Sequence, residues 1–277
     1  MLLEKSYRNF MLGGAGLNNE KKSRFRKISE ELSLLSVKFE ENILEDTNSF
    51  ELHLTDINEL AGLPEGTLEM SSMEARNRGK EGWIFTLHAP SYVPFMKYSQ
   101  RRDLREKIYK AYTSRAFHSD KYDNRKLAVK IANLRLKLAK ILGFRKYSDL
   151  ILDDRMLDTT TKVESFLAEL HEASIRAARR DVETVNKFAS ENGHADELER
   201  WDWPYFAEKL RKVKFDIDDE VLKPYFVLEN LENAILDLAS VLYGIKFIPD
   251  KSIPVSYTHL RAHETVLDLV CRLLLEK

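Results

Sequence analysis

The most suggestive metal-binding pattern in the 277 residues is His259-x3-His263 followed by Glu264, close to the C-terminus. On a helix this spacing sets both imidazoles on one face, where a zinc ion takes nitrogen ligands. Two histidines fall short of a site, because a metal that activates water needs three protein ligands to fix its geometry. His53 and His88 lie in or beside two short runs of alternating hydrophobicity and would approach one another if those runs pair. No third ligand or nucleophile accompanies them, so both are read as ordinary surface or core histidines. Gly13-Gly14-Ala15-Gly16 invites a phosphate-loop reading, yet no strand precedes it and no Lys-Ser/Thr follows, which leaves a helix stop. Cys271 is the only cysteine, so neither a disulfide framework nor a cysteine metal site can form, and a reducing compartment fits.

The densest aromatic stretch runs from Glu199 to Phe226 and contains Trp201, Trp203, Tyr205, Phe206, Phe215, Tyr225 and Phe226. Pro204 suits the first turn of a helix there, since it has no N–H to lose. Asp216 to Asp219 supplies turn and N-cap carboxylates for a second short helix, interrupted by Pro224. The stretch reads as a packing knot between helices, with an aromatic binding box as the alternative.

Most of the chain that would position these groups has helical period. Leu2 to Leu12 reads as a helix stopped by Gly13-Gly14, and it starts without a cap, which implies chain upstream. After Asn18 or Asn19 as N-cap, Phe25, Ile28, Leu32, Leu35 and Phe39 mark one apolar stripe over about five turns. Phe50, Leu52 and Leu54 alternate with polar residues, as do Trp83, Phe85 and Leu87, and the two short strands are expected to pair across a turn and helix at 60–78. Ser99 is expected to cap a helix carrying Leu104, Ile108 and Tyr112, with a solvated Arg/Lys-rich outer face balanced by Asp103 and Glu106. Asn124 opens a helix with Leu127, Ile131, Leu134, Leu138 and Ile141 in register. Thr161-x-x-Glu164 reads as the capping box of the longest helix, with Phe166, Leu170, Ala173, Ala177, Val185 and Phe188 near one face. Leu228 to Leu242 forms the last amphipathic helix, and Ile245 to Ile248 a brief strand. The fold class is therefore mainly α, with two or three short strands.

Lys plus Arg number 44 against 45 Asp plus Glu, so there is no basic footprint for nucleic acid and no acidic tail. No run of 18 apolar residues exists, which argues against a membrane partner, and the N-terminus lacks a signal-peptide pattern.

Several stretches together resemble a known family. WDWPYFAEKLRKVKFDID from Trp201, closed by LKPYF at 222–226, is similar to the thimet oligopeptidase and peptidyl-dipeptidase family of zinc metallopeptidases, which includes dipeptidyl carboxypeptidase and oligopeptidase A. FMLGGAGL from Phe10, FEEN from Phe39, LAGLP from Leu60, GWIFTL from Gly82, YSQRRDLREKIYKAY from Tyr98 and LYGI from Leu242 agree with it in order. The resemblance covers residues 2 to about 254, the interior of a longer family chain. It implies a helical channel fold, short peptide substrates, a monomer when complete, a cytoplasmic location with a periplasmic one open, and zinc as cofactor. The family's zinc site is an H-E-x-x-H helix with a further downstream glutamate, in which the histidines bind metal and the first glutamate activates water. His171-Glu172 is followed by Ile175 where the second histidine belongs, and His263-Glu264 by Leu267. No catalytic, cofactor-binding or metal-binding residue is therefore assigned, and the chain is expected to be inactive alone. A non-catalytic helical module that binds peptides or serves as a scaffold is the alternative. Residues 255–277, VSYTHLRAHETVLDLVCRLLLEK, match nothing in the family and look like a translated transposase sequencing adapter, so residues 1–254 are expected to be the evolved segment and the remainder non-native.

Overall fold

A computed structural model describes residues 2–216 and 219–247, with the side chains of Asp219, Glu220, Lys223 and Glu229 excepted. The segment 255–277, with His259, His263, Glu264 and Cys271, lies outside the described residues. Two compact units divide the chain, residues 1–217 and 218–277. The first holds α1 (Leu2–Leu12), α2 (Asn19–Ser49), β1 (Leu52–Leu54), a 3-10 turn (Ile57–Leu60), α3 (Glu65–Asn77), β2 (Trp83–Phe85), α4 (Ala89–Tyr98) and α5 (Arg102–Thr113). It continues with α6 (Arg125–Ile141), α7 (Tyr147–Leu152), α8 (Thr160–Glu191) and α9 (Trp203–Phe215). The mainly α expectation holds. Among the described residues, no helix is long and apolar enough to cross a membrane.

The long helices follow their stripes. Asn18 caps α2, its side-chain oxygen accepting from Lys21 N at 2.9 Å. This satisfies one of the N–H groups that the first turn leaves without a partner. The half-buried face of α2 packs against α6, where Ile131 and Leu134 are buried. Two buried asparagines tie these helices together. Asn42 Nδ2 donates to Asn124 Oδ1 at 2.8 Å, and Asn124 Nδ2 donates to Phe39 O at 2.9 Å. The glycines after α1 act as a stop, with Gly14 at φ +87° and Ala15 N bonded to Phe10 O.

β1 and β2 pair antiparallel, Leu52 opposite Phe85 and Leu54 opposite Trp83, as their alternation requires. Leu52, Leu54, Phe85 and Leu87 face the main core, which Leu60, Leu63, Phe95, Met96, Leu104 and Ile108 complete. Phe85 and Phe95 meet edge to face with ring centroids 4.7 Å apart. α4 supplies Phe95 and Met96 despite Pro90 in its first turn and Pro94 inside it. Proline punctuation hides this helix from a propensity reading, and the apolar burial overrides it.

Gly62 shows how closely the segments approach. Its φ is +89°, and a Cβ placed there would lie 2.4 Å from Tyr98 O, backbone against backbone. Gln100 N bonds Ala61 O at 2.9 Å in the same contact. A Gly62→Ala variant is expected to lose about 1–3 kcal/mol from strain in the left-handed region, with further loss from the clash, read as a lower urea midpoint at unchanged slope.

Two helix starts are displaced from expectation. Ser99 ends α4, its N–H bonded to Phe95 O, and α5 begins after Arg101 without a side-chain cap. Thr159, not Thr161, caps α8, accepting from Lys162 N at 3.3 Å. The upstream threonine wins because its extended backbone aims its hydroxyl at the third following N–H.

The second unit holds α10 (Asp219–Leu222), a 3-10 turn (Lys223–Tyr225) and α11 (Leu228–Tyr243), closed by Gly244 at φ +65°. Residues 245–247 form no strand, and Ile248 lies outside the described residues. A run that short gains ladder hydrogen bonds only from a partner strand, and β1–β2 is the only pairing among the described residues. The aromatic knot is also smaller than expected. Trp201, Trp203, Tyr205 and Phe206 pack into clusters, whereas Phe215, Tyr225 and Phe226 are 65%, 78% and 60% exposed. Asp216 ends α9 in the left-handed region, φ +52°, next to the division between the units.

Candidate functional site

The strongest concentration of buried charge joins α5 to α9. Arg105, one helical turn past the start of α5, is only 2% exposed, and Asp202, the N-cap of α9, is fully buried. Arg105 Nη2 donates to Asp202 Oδ1 at 2.9 Å, its Nη1 to Ser99 O at 2.7 Å and its Nε to Trp201 O at 3.1 Å. Arg102 grips the same carboxylate from the solvent side, Nη2 to Oδ2 at 2.9 Å and Nε to both oxygens at 3.1 Å. Glu199 N also donates to Oδ2, at 3.3 Å. The guanidinium of Arg105 lies over the Tyr205 ring at 4.3 Å, so the fork that binds carboxylate also stacks on an aromatic face.

Burial alone would raise the Asp202 carboxyl, but the hydrogen bonds from Arg102 and Arg105 outweigh it and hold the group below the usual carboxylate range. Burial lowers the Arg105 guanidinium, opposed by Asp202. Both groups remain ionised near neutral pH. The carboxylate is saturated by donors, so it is neither a free base nor an open metal ligand; its chemistry is that of a brace. This corrects the expectation of a solvated basic face on α5 at Arg105, while Asp103, Lys107 and Lys110 are exposed as expected. Long side chains at helical spacing look alike in sequence whether they meet water or a carboxylate almost a hundred residues away.

The histidines do not converge. His53 Nε2 lies 2.6 Å from Glu81 O on the exposed side of β1, and His88 Nε2 lies 3.0 Å from Asn48 Oδ1 at the N-cap of α4. The strands pair, yet each ring is held by its own partner. His171 and Glu172 are exposed on α8. Among the described residues no group of three or more His, Cys, Asp or Glu side chains could hold a metal ion, so these residues do not fit a zinc site. A cavity of about 410 Å³ between α3 and α4 is lined by Ser71, Glu74, Arg78, Thr86 and His88, but Arg78 is already paired with Glu74 and Glu51.

The brace unites two of the segments that carry the family resemblance, YSQRRDLREKIYKAY on α5 and WDW at the head of α9. Both fall inside residues 95–268, which match the sequence profile described as peptidase family M3. The chain belongs to peptidase family M3. The match runs to residue 268, which corrects the expectation that nothing beyond residue 254 matches the family. This M3 chain is similar to the probable cytosolic oligopeptidase A of Arabidopsis thaliana, 39% identical over 257 residues, covering 90% of this chain and 36% of the relative. It is similar to the oligopeptidase A of Haemophilus influenzae, 33% identical, covering 95% of this chain and 39% of the relative. With the dipeptidyl carboxypeptidase of Escherichia coli it shares 29% identity, covering 95% and 39%. The M3 chain therefore spans less than two-fifths of the length of these relatives.

Proposed function

We propose that this M3 chain is part of a zinc-dependent oligopeptidase or peptidyl-dipeptidase acting on short peptides in the cytoplasm, and that its 277 residues alone neither hold catalytic zinc nor cleave peptide. The observation that carries the reading is the combination of similarity to oligopeptidase A over 95% of the chain with the absence of any H-E-x-x-H in the sequence. Hydrolysis of this type uses a metal-bound water whose pKa is lowered to roughly 7 and a glutamate that takes its proton. His171-Glu172 and His263-Glu264 each lack the second histidine, so neither pair fixes a metal. What these residues supply is a rigid helical wall, joined at Asp202, against which a substrate channel is built. The complete enzyme is read as a monomer.

Metal analysis after dialysis and a quenched fluorescent peptide assay with added zinc test the reading. No stoichiometric zinc and no turnover above background are expected from the chain alone. Stoichiometric zinc with turnover abolished by a chelator overturns it. Co-expression with the part of a relative that lies C-terminal to the matched span is expected to restore turnover.

A further inference from the structure

Asn192 is the only asparagine in the sequence that is followed by glycine. Such a pair is prone to spontaneous deamidation, because glycine has no Cβ to hinder attack by its amide nitrogen on the preceding carboxamide. Here the pair closes α8. Asn192 is the C-cap, at φ −101° and ψ 25°, and Gly193 follows in the left-handed region at φ +85°. Gly193 N–H donates to Ser190 O at 3.2 Å and His194 N–H to Ala189 O at 3.0 Å, the two bonds that end many helices at a left-handed glycine. The Asn192 side chain is engaged as well, Nδ2 donating to Phe188 O at 2.8 Å. His194 anchors the turn on α9. Its ring lies 5.2 Å from that of Phe206, its side chain is 12% exposed, and its Nε2 is 3.9 Å from Asp202 Oδ2. Asn192 and Gly193 are themselves exposed, so water reaches both.

We propose that Asn192 is a deamidation site gated by this cap: the closed cap keeps the reacting atoms apart, the open cap lets them react, and the product resists reclosure. In the reaction the Gly193 nitrogen gives its proton to solvent and bonds to Asn192 Cγ. The Cγ–Nδ2 bond breaks and Nδ2 leaves as ammonia, which forms a five-membered succinimide. Water then adds at one of the two imide carbonyls and yields aspartate or isoaspartate, so the net change is carboxamide plus water to carboxylate plus ammonium. In the closed cap the proton on Gly193 N is engaged by Ser190 O. Ring closure also requires Asn192 ψ to turn away from 25°, which separates Gly193 and His194 from their acceptors on α8. The reaction therefore waits on a local opening. Either product opposes the return. A carboxylate at position 192 cannot donate to Phe188 O and stands at the negative end of the α8 dipole. Isoaspartate in addition lengthens the backbone by one carbon, which puts the Gly193 and His194 donors out of register.

Folded and urea-denatured samples of the full chain are incubated side by side at mildly alkaline pH. Mass spectrometry follows deamidation of the peptide that contains Asn192, and chromatography separates isoaspartate from aspartate. The folded chain is expected to deamidate at least about tenfold more slowly than the denatured one, because only the open cap reacts. His194→Ala removes the contact with Phe206 and leaves the Asn-Gly pair in place. Its folded rate is expected to rise at least about threefold, with the denatured rate unchanged and amide exchange at residues 193 and 194 accelerated to match. Should His194→Ala not fold, urea below the unfolding midpoint opens the cap in the natural chain instead, and deamidation and exchange at these two residues are expected to rise together. Asn192→Asp, the product made directly, is expected to show the accelerated exchange with an unchanged circular dichroism spectrum. Equal rates in the folded and denatured chains overturn the proposal, as does a denatured chain that does not deamidate at Asn192. Faster exchange at residues 193 and 194 without faster deamidation overturns the gating, and an Asn192→Asp cap as well protected as the natural one overturns the resistance to reclosure.

Discussion

Replacing Asp202 by alanine is expected to lower the stability of the M3 chain by about 3–5 kcal/mol, because it strands a buried guanidinium without its counter-ion. Arg105 is the group that suffers. Its remaining acceptors are the Ser99 and Trp201 carbonyls, which satisfy hydrogen bonds but do not neutralise charge. Arg102 can turn to solvent and contributes less. Urea titration reads the loss as a lower midpoint, and pairing Asp202→Leu with Arg105→Met is expected to recover much of it, since an apolar pair of similar volume removes both desolvation costs. A double replacement as unstable as Asp202→Ala alone would show that the charge was not the cause. Asp202 also sets a pH dependence. Its carboxyl titrates lower in the folded chain than in the unfolded one, where about 3.9 is usual, so the stabilisation is complete above that value and is lost as the pH falls through the folded one. As the pH falls below about 4 the natural chain should lose stability more steeply than Asp202→Asn.

Phe95→Ala is expected to cost about 3–5 kcal/mol by leaving a cavity in the main core. Phe95 is fully buried, touches Phe85 edge to face, and sits on α4, which packs against α3, α5 and α9. Those surroundings cannot collapse into the space without moving the sheet. Phe95→Leu should cost markedly less. A Phe95→Ala midpoint within experimental error of the natural chain would mean that this core is not packed as described.

The parts of this fold that were legible in the sequence share a local cause. The stripes of α2, α6 and α11 repeat every three to four residues, Asn18 caps α2 through its own third following N–H, and β1 and β2 alternate over runs short enough to pair only with each other. What stayed hidden depends on residues far apart. Nothing near Arg105 distinguishes it from Lys107 or Lys110, which remain outside the core, because the difference is made by Asp202. The Trp-Asp-Trp triplet was conspicuous for its rings, while its decisive atoms are the carboxylate oxygens between them. α4 was masked by two prolines. Phe215, Tyr225 and Phe226 stand beside the knot in sequence, and sequence proximity resembles packing, yet all three rings are exposed.

The 97-residue separation of Arg105 from Asp202 has a meaning in time as well as in space. At about 5–20 residues per second, a ribosome makes Asp202 roughly 5–20 s after Arg105. For most of that interval α5, complete once Thr113 is made, carries a guanidinium whose carboxylate has not been synthesised. Any collapse of the core around β1, β2 and α4 before α9 is made would leave the Arg105 flank hydrated, and the arrival of Asp202 supplies the counter-ion that lets Arg105 leave water.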